Sequence, residues 1–202
     1  MHITKLINFN FKTFARTNGI LSPTIHHFLL ILRHKSIKMN TNKILFVCLG
    51  NICRSPSAEI VMEKLVEKHG LNSIFELDSA GIIDNHEGQM ADSRMRDHAS
   101  RRGLTITHRS RPVNARVDFE YFDMIIGMDD DNMKALDELA RIPAWKNKLY
   151  RMTHFSKKMS YNFVPDPYYG GDQGFELVLD ILEDACEGLL EFILRRDAIY
   201  RV

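Results

Sequence analysis

The sequence predicts an α/β protein, a three-layer sandwich around a four-stranded, mostly parallel sheet. Two short apolar runs, Ile44–Val47 and Met124–Gly127, are typical of strands that are buried on both faces. Segments with the spacing of amphipathic helices lie between and after these runs. Because strands and helices alternate along the chain, the strands are expected to lie side by side with helices covering both faces of the sheet.

The first half of the chain supplies two strands and two helices. A helix is predicted from Pro56 to His69, because proline suits the first helical position, apolar residues recur at helical spacing, and Gly70 ends the pattern. Phe75–Ser79 is predicted as the second strand. A polar helix is predicted over Asp92–Arg102, closed by a glycine.

The second half continues the alternation. After the strand Met124–Gly127, a helix is predicted over Asp129–Ala140, since its leading acids complement a helix N-terminus. Leu149–Met152 is a candidate fourth strand. From Gly174 to Arg195, apolar residues form one continuous helical stripe, which predicts a long helix packed on the core.

Composition limits the possible partners and compartment. The chain has 202 residues, of which 45% are hydrophobic and 26% charged, as in ordinary globular proteins. Residues 1–38 hold six basic residues and no acid, so residues 39–202 carry a net charge of −5, which argues against nucleic acid. The longest apolar run near the N-terminus, Phe28–Leu32, is too short to span a membrane. Three cysteines are too few for a disulfide framework and favour a cytoplasmic location.

Residues 1–38 differ from the rest and are interpreted as an N-terminal extension, with one domain over residues 39–202. A transit-like segment, a disordered tail and a misassigned start remain open, and Met39 is a natural start five residues before the first strand. We expect no catalytic function from this extension.

The run Val47–Pro56 carries the chemistry. It places Cys48 at the end of a strand, Arg54 at the start of a helix, and a tight loop between them. Such a loop and helix N-terminus form a seat for a phosphate-shaped dianion. Loop N–H groups and an arginine favour the thiolate form of a cysteine, so Cys48 is predicted to be a nucleophile.

Each of these residues has a plainer interpretation. A lone cysteine at a strand end is more often a small buried hydrophobe, and Ser55 before a proline can be just a helix N-cap. The plain interpretation of Cys48 is weakened by the residues after it. Gly50 and Asn51 suit a backbone that turns inward, and Asn51 tolerates a left-handed conformation. Ser55 is also expected to hydrogen-bond the sulfur of Cys48 and assist its departure.

A second motif, Val164–Gly170, offers a general acid. Asp166 stands between two prolines that stiffen its backbone, although an isolated Asp-Pro is usually an ordinary turn. Tyr168 and Tyr169 follow it and are expected to form walls for an aromatic substrate. Asp166 would protonate the leaving group and then activate the hydrolytic water. No metal is needed, because Arg54 and the loop N–H groups stabilise the phosphoryl oxygens.

These two motifs resemble those of the low molecular weight protein tyrosine phosphatase family, over about residues 43–195. The resemblance implies a four-stranded parallel sheet with the phosphate loop at the end of its first strand. It implies cofactor-free hydrolysis of phosphotyrosine proteins or small aryl phosphates through phosphocysteine, with Cys48, Arg54 and Asp166 as the catalytic residues. It also implies a set of substrate-binding residues: Leu49, Gly50, Asn51, Ile52, Cys53, Ser55, Tyr168 and Tyr169. Three further residues are implied to support the loop: Ser79, His108 and Asp78.

The resemblance implies further details. Cys53 would form a reversible disulfide with Cys48, which protects a reactive thiolate from irreversible oxidation. Asp78 would orient His108. A tyrosine kinase acting on Tyr168 or Tyr169 is a possible partner.

One departure and three alternatives stand beside this interpretation. Asn85 occupies the place where the family usually offers an aromatic residue to the substrate, so weaker stacking is expected. An arsenate reductase needs further relay cysteines, and Cys186 lies on the core stripe of the last helix. Arginine phosphatases carry threonine where Ile52 stands. A non-catalytic phosphate-binding module would lack Cys48 or Asp166.

Overall fold

The computed structural model describes residues 41–199. The predicted extension over residues 1–38 lies outside the described residues. Met39–Ile193 forms one compact unit, and the helical residues from Leu194 onward belong to another.

The sheet has four parallel strands in the order β2-β1-β3-β4, which confirms the predicted α/β architecture. The strands are β1 (Asn42–Cys48), β2 (Phe75–Gly81), β3 (Met124–Gly127) and β4 (Leu149–Arg151). Since β1 is central and all strands run the same way, the carboxyl ends of its neighbours β2 and β3 flank Cys48. Parallel α/β sheets bind their ligands at this edge.

Six helices and three short 3-10 turns connect and cover the strands in the described part of the chain. The helices are α1 (Arg54–Lys68), α2 (Ser93–Arg101), α3 (Ala115–Tyr121), α4 (Asp130–Leu139), α5 (Pro143–Lys146) and α6 (Gly171–Ile199). The 3-10 turns are Asn72–Ile74, Met152–Phe155 and Pro167–Tyr169. Helices α3 and α5 were not predicted, because seven and four residues are too few to establish a helical period.

Helix α1 begins earlier than the sequence predicts. It starts at Arg54, after Cys53 as the capping residue, so Pro56 lies inside the first turn. A missing N–H is tolerated anywhere in that turn, since its N–H groups have no partner within the helix. Ser55 is therefore not the N-cap. Its hydroxyl can therefore form hydrogen bonds with the loop that precedes the helix.

The core occupies both faces of the sheet. Leu45 and Val47 of β1 pack with Phe119 of α3 and Leu136 of α4. On the other face α6 packs against α1, where the Cys186 sulfur lies 3.7 Å from the Ala58 carbonyl oxygen. Within the described residues, no helix has both the length and the apolar composition needed to cross a membrane.

A close backbone approach fixes Gly188 in α6. A Cβ at this position would lie 1.8 Å from the Phe155 carbonyl oxygen, so α6 can reach this turn only with glycine. Gly188→Ala is expected to lower the free energy of unfolding by about 1–3 kcal/mol, because the clash is with backbone. This should outweigh the roughly 1 kcal/mol by which alanine favours a helix.

Urea denaturation followed by circular dichroism measures the effect of Gly188→Ala. Glu187→Ala, at the exposed neighbouring position, is the matched control and should change stability by less than about 0.5 kcal/mol. A Gly188→Ala variant as stable as the parent would contradict the described packing.

Candidate active site

The loop of residues 49–53 joins the end of β1 to the start of α1. Among residues 41–199, Asn51 is the only non-glycine residue with a positive φ, at 53°. This left-handed turn at Asn51 is of the kind expected from the sequence. Gly81 at the end of β2 lies against the loop, where an added Cβ would come 3.1 Å from the Leu49 carbonyl oxygen. The loop is thus enclosed by the strand beside it.

The buried Asn51 side chain uses its full hydrogen-bonding capacity. Its Nδ2 donates to Ser55 Oγ and to Ser79 Oγ, both at 2.9 Å. Its Oδ1 accepts from His108 Nε2 and from the Arg111 backbone N–H, also both at 2.9 Å. Two donors and two acceptors are satisfied, so the strained loop conformation is held from several sides.

Cys48 lies buried at the bottom of this loop. Its Sγ is 3.0 Å from Ser55 Oγ, a hydrogen bond in which either atom can donate. Ser55 Oγ also lies 3.3 Å from the Ala80 carbonyl oxygen. The serine predicted to contact the sulfur does so, and it can donate to a thiolate from the first turn of α1.

Arg54 joins the loop to two other parts of the chain. Its side chain is only 3% exposed and forms ion pairs with Asp129 and, at 3.0 Å, with Asp166. Burial alone lowers the pKa of Arg54, but the charges of Cys48, Asp129 and Asp166 together outweigh burial and raise it. The guanidinium is therefore a permanent cation beside the sulfur.

Asp166 reaches the site from the loop before the last 3-10 turn. Its Oδ2 accepts from Arg54 Nη2, and its Oδ1 accepts from the Tyr168 N–H at 3.0 Å. The carboxylate is 44% exposed. The structure therefore brings Asp166 to the arginine that precedes it by 112 residues, at the open side of the site.

The remaining predicted residues surround this centre. Leu49 and Tyr168 are exposed, and Ile52 is half-buried. Gly50 lies against the His86 ring, where a Cβ would come 3.0 Å from His86 Cδ2. The side chain of Tyr169 lies outside what the structure describes.

Cys53 is a buried free thiol in the same loop as Cys48. Burial, followed by the charges of Asp92 and Cys48, raises the pKa of Cys53 well above its ordinary value. Burial therefore favours the neutral thiol form of Cys53.

The carboxylate nearest to His108 belongs to Glu59, and not to Asp78 as the resemblance implies. Its Nδ1 is 3.2 Å from Glu59 Oε2 but 3.8 Å from Asp78 Oδ1. Asp78 instead binds the Arg111 guanidinium, at 2.7 Å and 3.1 Å. Glu59 Oε2 is thus the nearer carboxylate oxygen, but it has no hydrogen-bond partner among the described residues. Asp78 fixes the segment whose N–H binds Asn51.

Sequence reasoning also missed Asp129. We interpreted it only as an acid at a helix N-terminus, and its Oδ1 does accept from Asn132 N at 2.7 Å, while its Oδ2 pairs with Arg54. A signal was present, because Asp129 follows β3, whose carboxyl end adjoins that of β1.

A parallel α/β sheet whose central strand ends in a buried cysteine, followed by a tight loop, an arginine at the start of a helix and a facing aspartate, places this protein among the phosphatases. Residues 43–198 match the sequence model of the family described as "Low molecular weight phosphotyrosine protein phosphatase". The chain belongs to this family.

Three similar proteins illustrate the relationship. A protein tyrosine phosphatase of Entamoeba histolytica, solved with Hepes in its active site, is 49% identical with a TM-score of 0.72, over 74% of this chain and 95% of that one. A low molecular weight phosphotyrosine protein phosphatase 1 of Drosophila melanogaster is 39% identical over 76% of this chain and 98% of its own length. A Drosophila arginine phosphatase is 31% identical with a TM-score of 0.70, over 75% of this chain and 97% of that one.

Proposed function

We propose that this protein hydrolyses phosphotyrosine in proteins, and small aryl phosphates, through a phosphocysteine on Cys48. One observation carries the proposal. Arg54 begins the helix behind the nucleophile and also binds Asp166, so nucleophile, phosphate-binding cation and proton donor meet at one point. The family membership supports the same activity.

Substrate binding begins with an exchange of anions. In the structure, the carboxylate of Asp166 holds one side of the Arg54 guanidinium. A phosphate dianion accepts from Arg54 bidentately and from the loop N–H groups, and so displaces Asp166 toward the ester oxygen. Asp129 remains on the other side and keeps the guanidinium plane in place.

In the first chemical step, the Cys48 thiolate attacks phosphorus and forms an S–P bond while the bond to the ester oxygen breaks. Asp166, which takes up a proton from solvent once phosphate has displaced it from Arg54, transfers this proton to the leaving phenolate. Arg54 and the loop N–H groups stabilise the equatorial oxygens, whose charge is greatest in the transition state. The alcohol product then leaves the open side of the site.

In the second step, water attacks the phosphocysteine and Asp166, now a carboxylate, accepts its proton. The S–P bond breaks and Cys48 departs as a thiolate. Ser55, 3.0 Å from the sulfur, donates a hydrogen bond to it and so stabilises the departing charge. Inorganic phosphate is released, and Asp166 returns its proton to solvent as it pairs again with Arg54, which restores the starting state.

Activity toward p-nitrophenyl phosphate, measured with and without EDTA, tests this function. The stabilising groups all belong to the protein, so kcat/KM is expected to change by less than about twofold with the chelator. Loss of activity in EDTA that returns on adding a divalent metal would contradict the mechanism.

One comparison, the 31% identical arginine phosphatase, supports phosphoarginine in proteins as a second candidate substrate class. Ile52 stands where arginine phosphatases carry threonine, and it supports the phosphotyrosine assignment. Comparing kcat/KM for phosphotyrosine and phosphoarginine peptides decides between them. An arsenate reductase is less well supported, because Cys186 is fully buried in α6 and burial raises its pKa.

We also propose a cytoplasmic location, a protective disulfide and a partner kinase for the enzyme. Three free cysteines suit a reducing cytoplasm, where Cys48 and Cys53 can form a protective disulfide only under oxidation. Tyr168 is exposed and accessible to a tyrosine kinase. Asn85 is exposed at the loop where the family offers an aromatic residue, which supports weaker stacking of the substrate ring.

A further inference from the structure

Arg94, in the first turn of α2, connects the two halves of the site. Its Nε and Nη2 donate to the Asp92 carboxylate at 3.1 Å and 2.7 Å. Its Nη1 donates to the Tyr168 carbonyl oxygen at 3.2 Å. The side chain is 45% exposed, so this is a surface arginine whose three nitrogens each donate to a specific acceptor.

Two aromatic rings fix the same guanidinium. Its Cζ lies 5.0 Å from the centroid of the Tyr168 ring and 5.0 Å from that of Phe175. Phe175 is fully buried near the start of α6, which makes it a rigid support. Contacts of a cation with aromatic faces are favourable, and arginine suits them because its planar group also keeps its hydrogen bonds.

Asp92 anchors Arg94 to the phosphate loop. The Asp92 N–H donates to the Ile52 carbonyl oxygen at 2.8 Å, and the Asp92 carboxylate caps α2 by accepting from the Arg94 N–H at 2.9 Å. The base of the arginine is therefore held by the loop that contains Cys48. Its tip binds the carbonyl oxygen of Tyr168, and the N–H of the same residue, on the preceding peptide unit, binds Asp166.

Resting on the proposed function, we infer that Arg94 is a positioning residue for the general acid. In the structure Asp166 has two anchors, Arg54 and the Tyr168 N–H. Bound phosphate replaces Asp166 as the partner of Arg54. Of the two anchors, the Tyr168 N–H then remains to direct the Asp166 carboxyl group at the leaving oxygen. Arg94 binds the carbonyl oxygen of the same residue and so holds Tyr168 at a fixed distance from the phosphate loop.

The dependence of kcat/KM on the leaving group tests this role. A poor leaving group such as phenolate needs the proton of Asp166, whereas dinitrophenolate does not. Arg94→Met is expected to lower kcat/KM about tenfold for phenyl phosphate and less than about twofold for dinitrophenyl phosphate. Arg94→Lys keeps the charge but not the planar fork, and should fall between Arg94→Met and the parent.

A double variant separates positioning from a general structural effect. In an Asp166→Asn background, Arg94→Met should have no further effect on phenyl phosphate, because the group that it positions is gone. Arg101→Met, an exposed arginine at the other end of α2, is the matched control and should behave as the parent.

The inference is overturned if Arg94→Met lowers kcat/KM equally for both esters, leaves both unchanged, or remains fully effective in the Asp166→Asn background. These outcomes leave the proposed mechanism intact. If Asp166→Asn alone lowers kcat/KM by the same factor for phenyl phosphate and for dinitrophenyl phosphate, Asp166 is not the general acid. The inference about Arg94 is then wrong as well.

Discussion

Cys48→Ser is expected to lower kcat for p-nitrophenyl phosphate by roughly 10⁴-fold or more, the largest effect of any single change. A serine hydroxyl is a weak nucleophile without an adjacent general base, and the side chain described as hydrogen-bonded to Cys48 is the hydroxyl of Ser55, which cannot act as one. Phosphate binding should persist within about threefold, because Arg54 and the loop are unchanged and supply the anion contacts. Steady-state kinetics and calorimetry with inorganic phosphate measure the two quantities separately.

The control for this variant is Cys186→Ala, which removes a thiol buried between α6 and α1, far along the chain from the loop. It should retain kcat within about twofold, with a modest loss of stability from the small cavity. Substantial turnover by Cys48→Ser would show that the sulfur does not form the covalent intermediate.

Asp166→Asn is expected to lower kcat/KM for phenyl phosphate by about 10²–10³-fold, since a positioned general acid contributes on this scale. The amide keeps the shape of the side chain but neither donates nor accepts a proton in the reaction. The variant also removes the negative charge that pairs with Arg54 at 3.0 Å in the free site. Inorganic phosphate should consequently inhibit the variant more strongly than the parent.

Asp172→Asn provides a matched change of charge six residues further on. Its carboxylate is 86% exposed and faces His98, so both kcat/KM and phosphate inhibition should stay within about twofold of the parent. An Asp166→Asn variant with unchanged kcat/KM for phenyl phosphate would rule out the assigned acid. Unchanged phosphate inhibition would instead contradict the competition for Arg54.

The sheet and the phosphate loop were predictable because their signals are local. Strands such as Ile44–Val47 are buried on both faces and therefore appear as continuous apolar runs. Cys48, Arg54 and Ser55 lie within eight consecutive residues, so a strand, loop and helix bring them together without information from elsewhere. Asp166 is distant, but its two flanking prolines make it conspicuous.

The supporting residues were harder to predict because their roles depend on which segments meet in space. Glu59 and Asp78 are both acids within reach of His108, and nothing in their spacing shows which lies closer. Asp129 serves as a helix cap and an arginine partner at once, so its first role concealed its second. The role of Arg94 depends on contacts with a segment 74 residues away.

The account depends most on the formation of a covalent bond between phosphorus and Cys48. Mass spectrometry of peptides from an acid-quenched turnover mixture measures this directly. The account predicts a phosphate adduct on Cys48 that forms with p-nitrophenyl phosphate, accumulates when its hydrolysis is slowed by Asp166→Asn, and is absent from Cys48→Ser. Full turnover with no adduct on Cys48, either in the parent or in Asp166→Asn, would contradict it.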